Sequence, residues 1–71
     1  MDDLTLGERI MLQRRRHNMT QTQLAAIIGV QQSEIHRLET GLTKDPHMSR
    51  IVALAKAFNV TTDWLVGLVT D

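Results

Sequence analysis

Residues 20–41 read Thr20-Gln21-Thr22-Gln23-Leu24-Ala25-Ala26-Ile27-Ile28-Gly29-Val30-Gln31-Gln32-Ser33-Glu34-Ile35-His36-Arg37-Leu38-Glu39-Thr40-Gly41, and this stretch decides the fold. Thr20 can cap a helix over Gln21 to Ile28 whose Leu24, Ala25 and Ile28 face inward, and Gly29 can end it by taking the left-handed conformation after the last turn. A second helix is predicted from near Gln32 to Thr40, stopped by Gly41 and carrying Ile35 and Leu38 as its apolar pair. The turn between them is about three residues long, and so short a connection with a glycine suits helices crossing at roughly 90 to 120°. The small residues Ala25 and Gly29 are expected to let the two helices approach closely.

Working outward, Thr5 and Glu8 have the spacing of a capping box, which predicts a helix from near Leu6 to about His17 with Ile10 as its core residue. Downstream, a polar loop runs from Leu42 to Met48 and contains the chain's single proline, Pro46. Ser49 is read as the cap of a helix over Arg50 to Phe58, with Ile51, Leu54, Ala55 and Phe58 inward. Thr61 then caps a short helix through Trp64 to Val66. Five helices and no strand make an all-α fold.

With 71 residues, 42% of them apolar and 23% charged, the chain is expected to form one domain over residues 1–71. A chain so short buries only about 60% of the surface it exposes when unfolded, which leaves no room for a second core. It has no cysteine, so packing must hold it together without disulfides or a thiolate zinc site. The acidic start Met1-Asp2-Asp3 is unlike a signal peptide, and the longest apolar run, Ile51 to Ala55, is too short to cross a bilayer. A cytoplasmic location, with no membrane partner, is expected.

Formal charge cancels, with eight basic residues against eight acidic ones. Its distribution is uneven. Arg9, Arg14, Arg15, Arg16, Arg37 and Lys44 lie between positions 9 and 44 against Glu34 and Glu39 only, while Asp2, Asp3, Asp63 and Asp71 lie outside that segment. Phe58 and Trp64 are the only aromatics, too few for the stacking platform of a single-strand binder.

The run Thr20-Gln21-Thr22-Gln23-Leu24-Ala25, then Gly29-Val30, Ile35, Leu38-Glu39 and Gly41, closing with Val60-Thr61-Thr62-Asp63-Trp64-Leu65, resembles the Xre-type helix-turn-helix family of lambdoid phage repressors and Cro proteins. The resemblance spans about Leu6 to Gly67 and implies five helices, with the helix-turn-helix at the second and third, and binding to double-stranded DNA. It implies a transcriptional regulator of repressor type, phage- or prophage-like and nucleoid-associated, that holds a near-palindromic operator as a homodimer. The alternative is an antitoxin-type protein of the same fold that binds a toxin and regulates its own operon. Whether the chain is a short Cro-like regulator or part of a longer repressor stays open.

The family's geometry puts the third helix in the major groove, and the residues agree. With Ile35 and Leu38 inward, a repeat of about 100° per residue turns Ser33, His36, Arg37 and Thr40 outward, and Gln32 is exposed at the helix start. Glutamine can pair with adenine N6 and N7 and arginine with guanine O6 and N7, which makes Gln32 and Arg37 the leading candidate base readers, with Ser33 and His36 beside them. Gln21 stands at the start of the second helix, where free N–H groups attract a phosphate, and the resemblance gives it a backbone-positioning role. It gives the loop after the third helix, through Thr40, Thr43 and Lys44, a phosphate role too, although Asp45 and His47 stand where a basic loop would strengthen binding. The resemblance also implies an internal salt bridge between Arg14 and Glu39.

The histidines His17, His36 and His47 match no metal-ligand spacing, and no catalytic grouping of serine, histidine and acid or phosphate loop is present, so no metal, cofactor, small-molecule ligand or enzymatic activity is expected. Met11, Met19 and Met48 read as packing residues. The tail Trp64-Leu65-Val66-Gly67-Leu68-Val69 carries more apolar surface than so short a helix needs. A weak dimer contact is therefore expected from Trp64, Leu65 and Leu68 together with the loop near Pro46.

Overall fold

A computed structural model of the chain describes residues 3–69; Met1, Asp2, Thr70 and Asp71 lie outside the described residues. Five helices follow one another: α1 (Leu6–Arg16), α2 (Gln21–Ile28), α3 (Gln32–Thr40), α4 (Met48–Phe58) and α5 (Thr62–Leu65). Among the described residues there is no strand.

Local chemistry sets most of the boundaries. Thr5 and Glu8 close a capping box at α1, and Thr20 and Gln23 close a second at α2, each pairing two backbone N–H groups that the first turn cannot. Thr61 accepts from the Trp64 amide and starts α5. Gly29 and Gly41 end α2 and α3 in the left-handed conformation.

Two boundaries and one glycine depart from the sequence reading. α4 begins at Met48 because the carbonyl of His47 already accepts from Arg50 (2.9 Å) and Ile51 (3.2 Å), so Ser49 lies inside the first turn and caps nothing. α5 ends at Leu65, with Val66 as its C-cap. Gly29 does not mediate a close approach, since a Cβ there would meet no atom within 4 Å; its φ of +75° is what calls for glycine. The close approach is at Gly7, where a Cβ would lie 2.5 Å from the carbonyl oxygens of Leu38 and Glu39. The start of α1 thus rests directly on the last turn of α3.

The core is built from the inward stripes of all five helices: Ile10, Leu24, Ala25, Ile35, Leu38, Ile51, Leu54, Ala55, Phe58 and Leu65. α3 packs on both α1 and α2, and α4 on α2 and α5, so α3 is wedged between two neighbours while its opposite face stays open. Leu65 is 0% exposed and belongs to this core. Arg9 is 2% exposed, its guanidinium 4.9 Å from the centre of the Trp64 ring and its Nη1 donating to the Trp64 carbonyl at 3.0 Å. That contact fastens α5 to α1 and removes Arg9 from the count of surface cations. No helix of the described residues is long and apolar enough to cross a membrane.

Candidate nucleic-acid interface

Gln32, Ser33, His36, Arg37 and Thr40 are all exposed and form one polar face of α3, on the side away from Ile35 and Leu38. What lies behind that face is a chain of hydrogen bonds. Arg14 on α1 grips Glu39 on α3 with two bonds, Nε to Oε2 at 2.6 Å and Nη2 to Oε1 at 3.1 Å, and the side chains are 13% and 1% exposed. The third arm of Arg14, Nη1, donates to the Met19 carbonyl at 2.9 Å, tying in the segment that leads to α2. Paired and bonded in this way, the two charges tolerate their burial.

The chain continues outward to the surface. Gln21 Nε2 donates to Glu39 Oε1 at 3.0 Å, and Gln21 Oε1 accepts from Gln32 Nε2 at 2.6 Å. Gln32 spends one amide proton on this bond and keeps its Oε1 and its second amide proton, the acceptor and donor that an adenine edge requires. Gln21 is thus more than a residue at a helix start. It links a buried ion pair to an exposed amide, and one amide proton of its own is left for an outside acceptor. The sequence puts each glutamine at a helix start but gives no sign that they meet, because the bond spans the turn between α2 and α3.

Other expected contacts fare differently. Thr40 donates its hydroxyl proton to the His36 carbonyl at 2.8 Å, and the amides of Gly41 and Thr43 donate to Leu38 and Arg37 carbonyls. A phosphate oxygen only accepts, so Thr40 would have to turn its exposed hydroxyl away from the His36 carbonyl to donate to one. Lys44 is exposed and Thr43 half-buried, and both line a groove of about 440 Å³ with Thr5 and Glu8 at the start of α1. Of the six cations between positions 9 and 44, Arg9 is buried and Arg14 is paired, which leaves Arg15, Arg16, Arg37 and Lys44 exposed.

The residues expected to form a dimer contact fall in different surroundings. Leu65 is in the monomer's own core and has no surface to offer a partner, which corrects its assignment. Trp64 packs against that core and Arg9, and its remaining surface lines a groove with Val60 and Val69. Pro46 lies elsewhere, in a groove of about 320 Å³ with Leu6, Met48 and Val66. Met48 is 68% exposed, so it is not the packing residue expected; starting α4 at Met48 leaves its side chain outside the Ile51–Leu54 stripe. Leu68 is 74% exposed. Among the described residues no three acidic or histidine side chains converge as metal ligands.

Two helices joined across a three-residue turn, the second lying open to solvent on a helical scaffold, define a helix-turn-helix protein. The chain belongs to the helix-turn-helix family, whose profile matches residues 10–65, and within it to the phage-repressor type. It is 33% identical over 64 residues to the uncharacterized HTH-type transcriptional regulator YobD of Bacillus subtilis (strain 168); the match takes in 90% of this chain and 56% of that protein, so the chain spans little more than half the length of this curated relative. The fold is similar to the P22 c2 repressor protein solved in complex with a synthetic operator, with a TM-score of 0.84, 30% identity and coverage of 90% of this chain and 96% of that one. It is also similar to the solution structure of the DNA-binding domain of the P22 c2 repressor, with a TM-score of 0.83, 31% identity and coverage of 94% and 88%. These relatives are thus a transcriptional regulator, a repressor and that repressor's DNA-binding domain.

Proposed function

We propose that this chain is a sequence-specific repressor that binds double-stranded DNA through α3, in the cytoplasm, as a homodimer on a near-palindromic operator. The observation that carries the reading is the bonded series Arg14–Glu39–Gln21–Gln32, which fixes an exposed amide on α3 from a buried ion pair. A side chain held in advance loses less freedom on binding than a mobile one. Gln32 and Arg37 read base edges, with Ser33 and His36 flanking them, and the remaining proton of Gln21 together with Lys44 and Thr43 meets phosphates. The likeness to the P22 c2 repressor, solved in complex with a synthetic operator, supports binding of double-stranded DNA by this fold.

One small domain makes few contacts, and relatives of this geometry bind half-sites about 34 to 36 Å apart. This reading assigns the contact between two copies on one duplex to the groove around Pro46, Met48 and Val66. The test is selection of bound sites from a random duplex pool, followed by binding of Gln32→Ala and Arg37→Ala to the selected site. Each variant is expected to lose about 1 to 3 kcal/mol on that site and to relax preference at one base pair, with helix content unchanged. Wild-type binding by both variants would refute the assignment of α3.

A further inference from the structure

Glu34 stands in the first turn of α3, at the end that presents Gln32 and Ser33. For the helix alone a carboxylate there is favourable, because it faces the positive end of the dipole, and Gln31 makes no side-chain capping bond that would do the same work. For DNA it is unfavourable on two counts. It repels phosphates, and it lies three residues before Arg37, a spacing at which helix side chains meet and pair. A Glu34–Arg37 pair would occupy the guanidinium assigned above to a guanine edge.

That pair does not form. The Glu34 carboxylate is bound by Nε of Arg50, from α4, and among the described residues Arg37 makes no side-chain hydrogen bond or ion pair. Glu34, Arg37 and Arg50 line one cleft of about 270 Å³; Asp45 and His47 line it too, without ion pairs. The position of Arg50 is informative. It sits in the first turn of α4, where the helix dipole disfavours a cation and where no acid offsets it. The dipole of its own helix therefore gives no reason for a cation at Arg50.

We propose that Arg50 is a positioning residue for base recognition: by holding Glu34 toward α4 it keeps the carboxylate off Arg37 and leaves that guanidinium free for DNA. The inference rests on the reading of Arg37 as a base reader. Arg50 and Glu34 are 33% and 27% exposed, so losing their bond leaves the fold intact.

The experiment compares the whole chain as wild type, Arg50→Gln, Glu34→Gln, the double variant and Arg37→Ala, on the selected site, on single-base variants of it and on random duplex, across a salt series. An exposed pair at this spacing is worth about twofold, and a bidentate base contact about tenfold or more. Arg50→Gln should accordingly bind the selected site about twofold more weakly and partly relax preference at the base pair where Arg37→Ala relaxes it. Adding Glu34→Gln should restore both affinity and preference, since no carboxylate is then left to capture Arg37, and Glu34→Gln alone should keep wild-type preference. A loss of equal size on selected and random duplex, with a salt slope lower by about one and no rescue by Glu34→Gln, would make Arg50 a phosphate contact and overturn the proposal. Unchanged binding by Arg50→Gln would overturn it as well. Should Arg37→Ala leave base preference intact, the reading of Arg37 falls and takes this inference with it; if Arg37→Ala relaxes preference and Arg50→Gln does not, only this inference falls.

Discussion

Cutting the Arg14–Glu39 pair from either side should cost far more than replacing both partners. Glu39 is enclosed, its side chain 1% exposed, and Arg14 supplies two of the three bonds its carboxylate receives, Gln21 supplying the other. Arg14→Met would strand that carboxylate with one neutral donor, and Glu39→Leu would leave the guanidinium with only the Met19 carbonyl. Breaking a buried pair from one side typically costs about 3 to 5 kcal/mol, whereas exchange of both charges for apolar groups of similar volume is often close to neutral. Natural domains hold roughly 0.05 to 0.15 kcal/mol per residue, so each single change consumes a large share of what 71 residues provide. At about 4 to 8 °C per kcal/mol for a domain of this size, a loss of about 3 kcal/mol lowers Tm by about 12 to 24 °C.

Urea unfolding followed by circular dichroism, on wild type, both singles and the double, gives the coupling free energy directly. Coupling of at least about 2 kcal/mol is expected, with the double variant more stable than either single. Losses that add within about 0.5 kcal/mol would show that the two side chains act independently and would refute the reasoning. The same four proteins separate stability from recognition. The double variant should fold and yet have lost the acceptor that anchors Gln21, so its preference at the base pair read by Gln32 should weaken even where its Tm has recovered.

Three further outcomes are expected. Gln21→Ala should weaken binding to all duplexes through the lost phosphate donor and also relax preference at the Gln32 base pair, as quantitative binding to single-base operator variants will show; a uniform loss would mean that the bond to Gln32 plays no part in recognition. Gly7→Ala must push α1 off the Leu38 and Glu39 carbonyls and should cost about 1 to 3 kcal/mol in urea unfolding, while Gly29→Ala should cost through backbone strain alone; a neutral Gly7→Ala would show that α1 shifts freely. Met48→Asp, on the exposed wall of the Pro46 groove, should leave the unfolding free energy within about 0.5 kcal/mol of wild type but abolish the two-subunit operator complex seen by sedimentation, and an unchanged complex would move the interface elsewhere.

Most of the fold was legible because its signals are local. Thr5, Thr20 and Thr61 announce helix starts within four residues of the groups they cap, Gly29 and Gly41 announce ends, and a 3.6-residue period picks out Ile10, Leu24, Ile35, Leu54 and Phe58 without reference to any partner. Ser49 misled because a serine can equally occupy the first turn of a helix, and only the His47 carbonyl settles where α4 begins. The features that escaped reading are polar and distant in sequence. Arg9 meets Trp64 across 55 positions, and Glu34 meets Arg50 across 16. A sequence signal did exist for Arg9: with Leu6 before it and Gln13 after it, it lies on the inward stripe of α1, and an arginine on such a stripe needs a partner in the core rather than a place in a tally of surface charge. Glu34 offers no such sign, since it sits where an acid favours its own helix. The role proposed for it emerges only when the carboxylate, the guanidinium beside it on α3 and the arginine brought by α4 are seen in one cleft. The proposed recognition chemistry is therefore written in two layers: residue types on the exposed face of α3 can be listed from the sequence, but which of their donors and acceptors remain free is decided by partners on α1, α2 and α4.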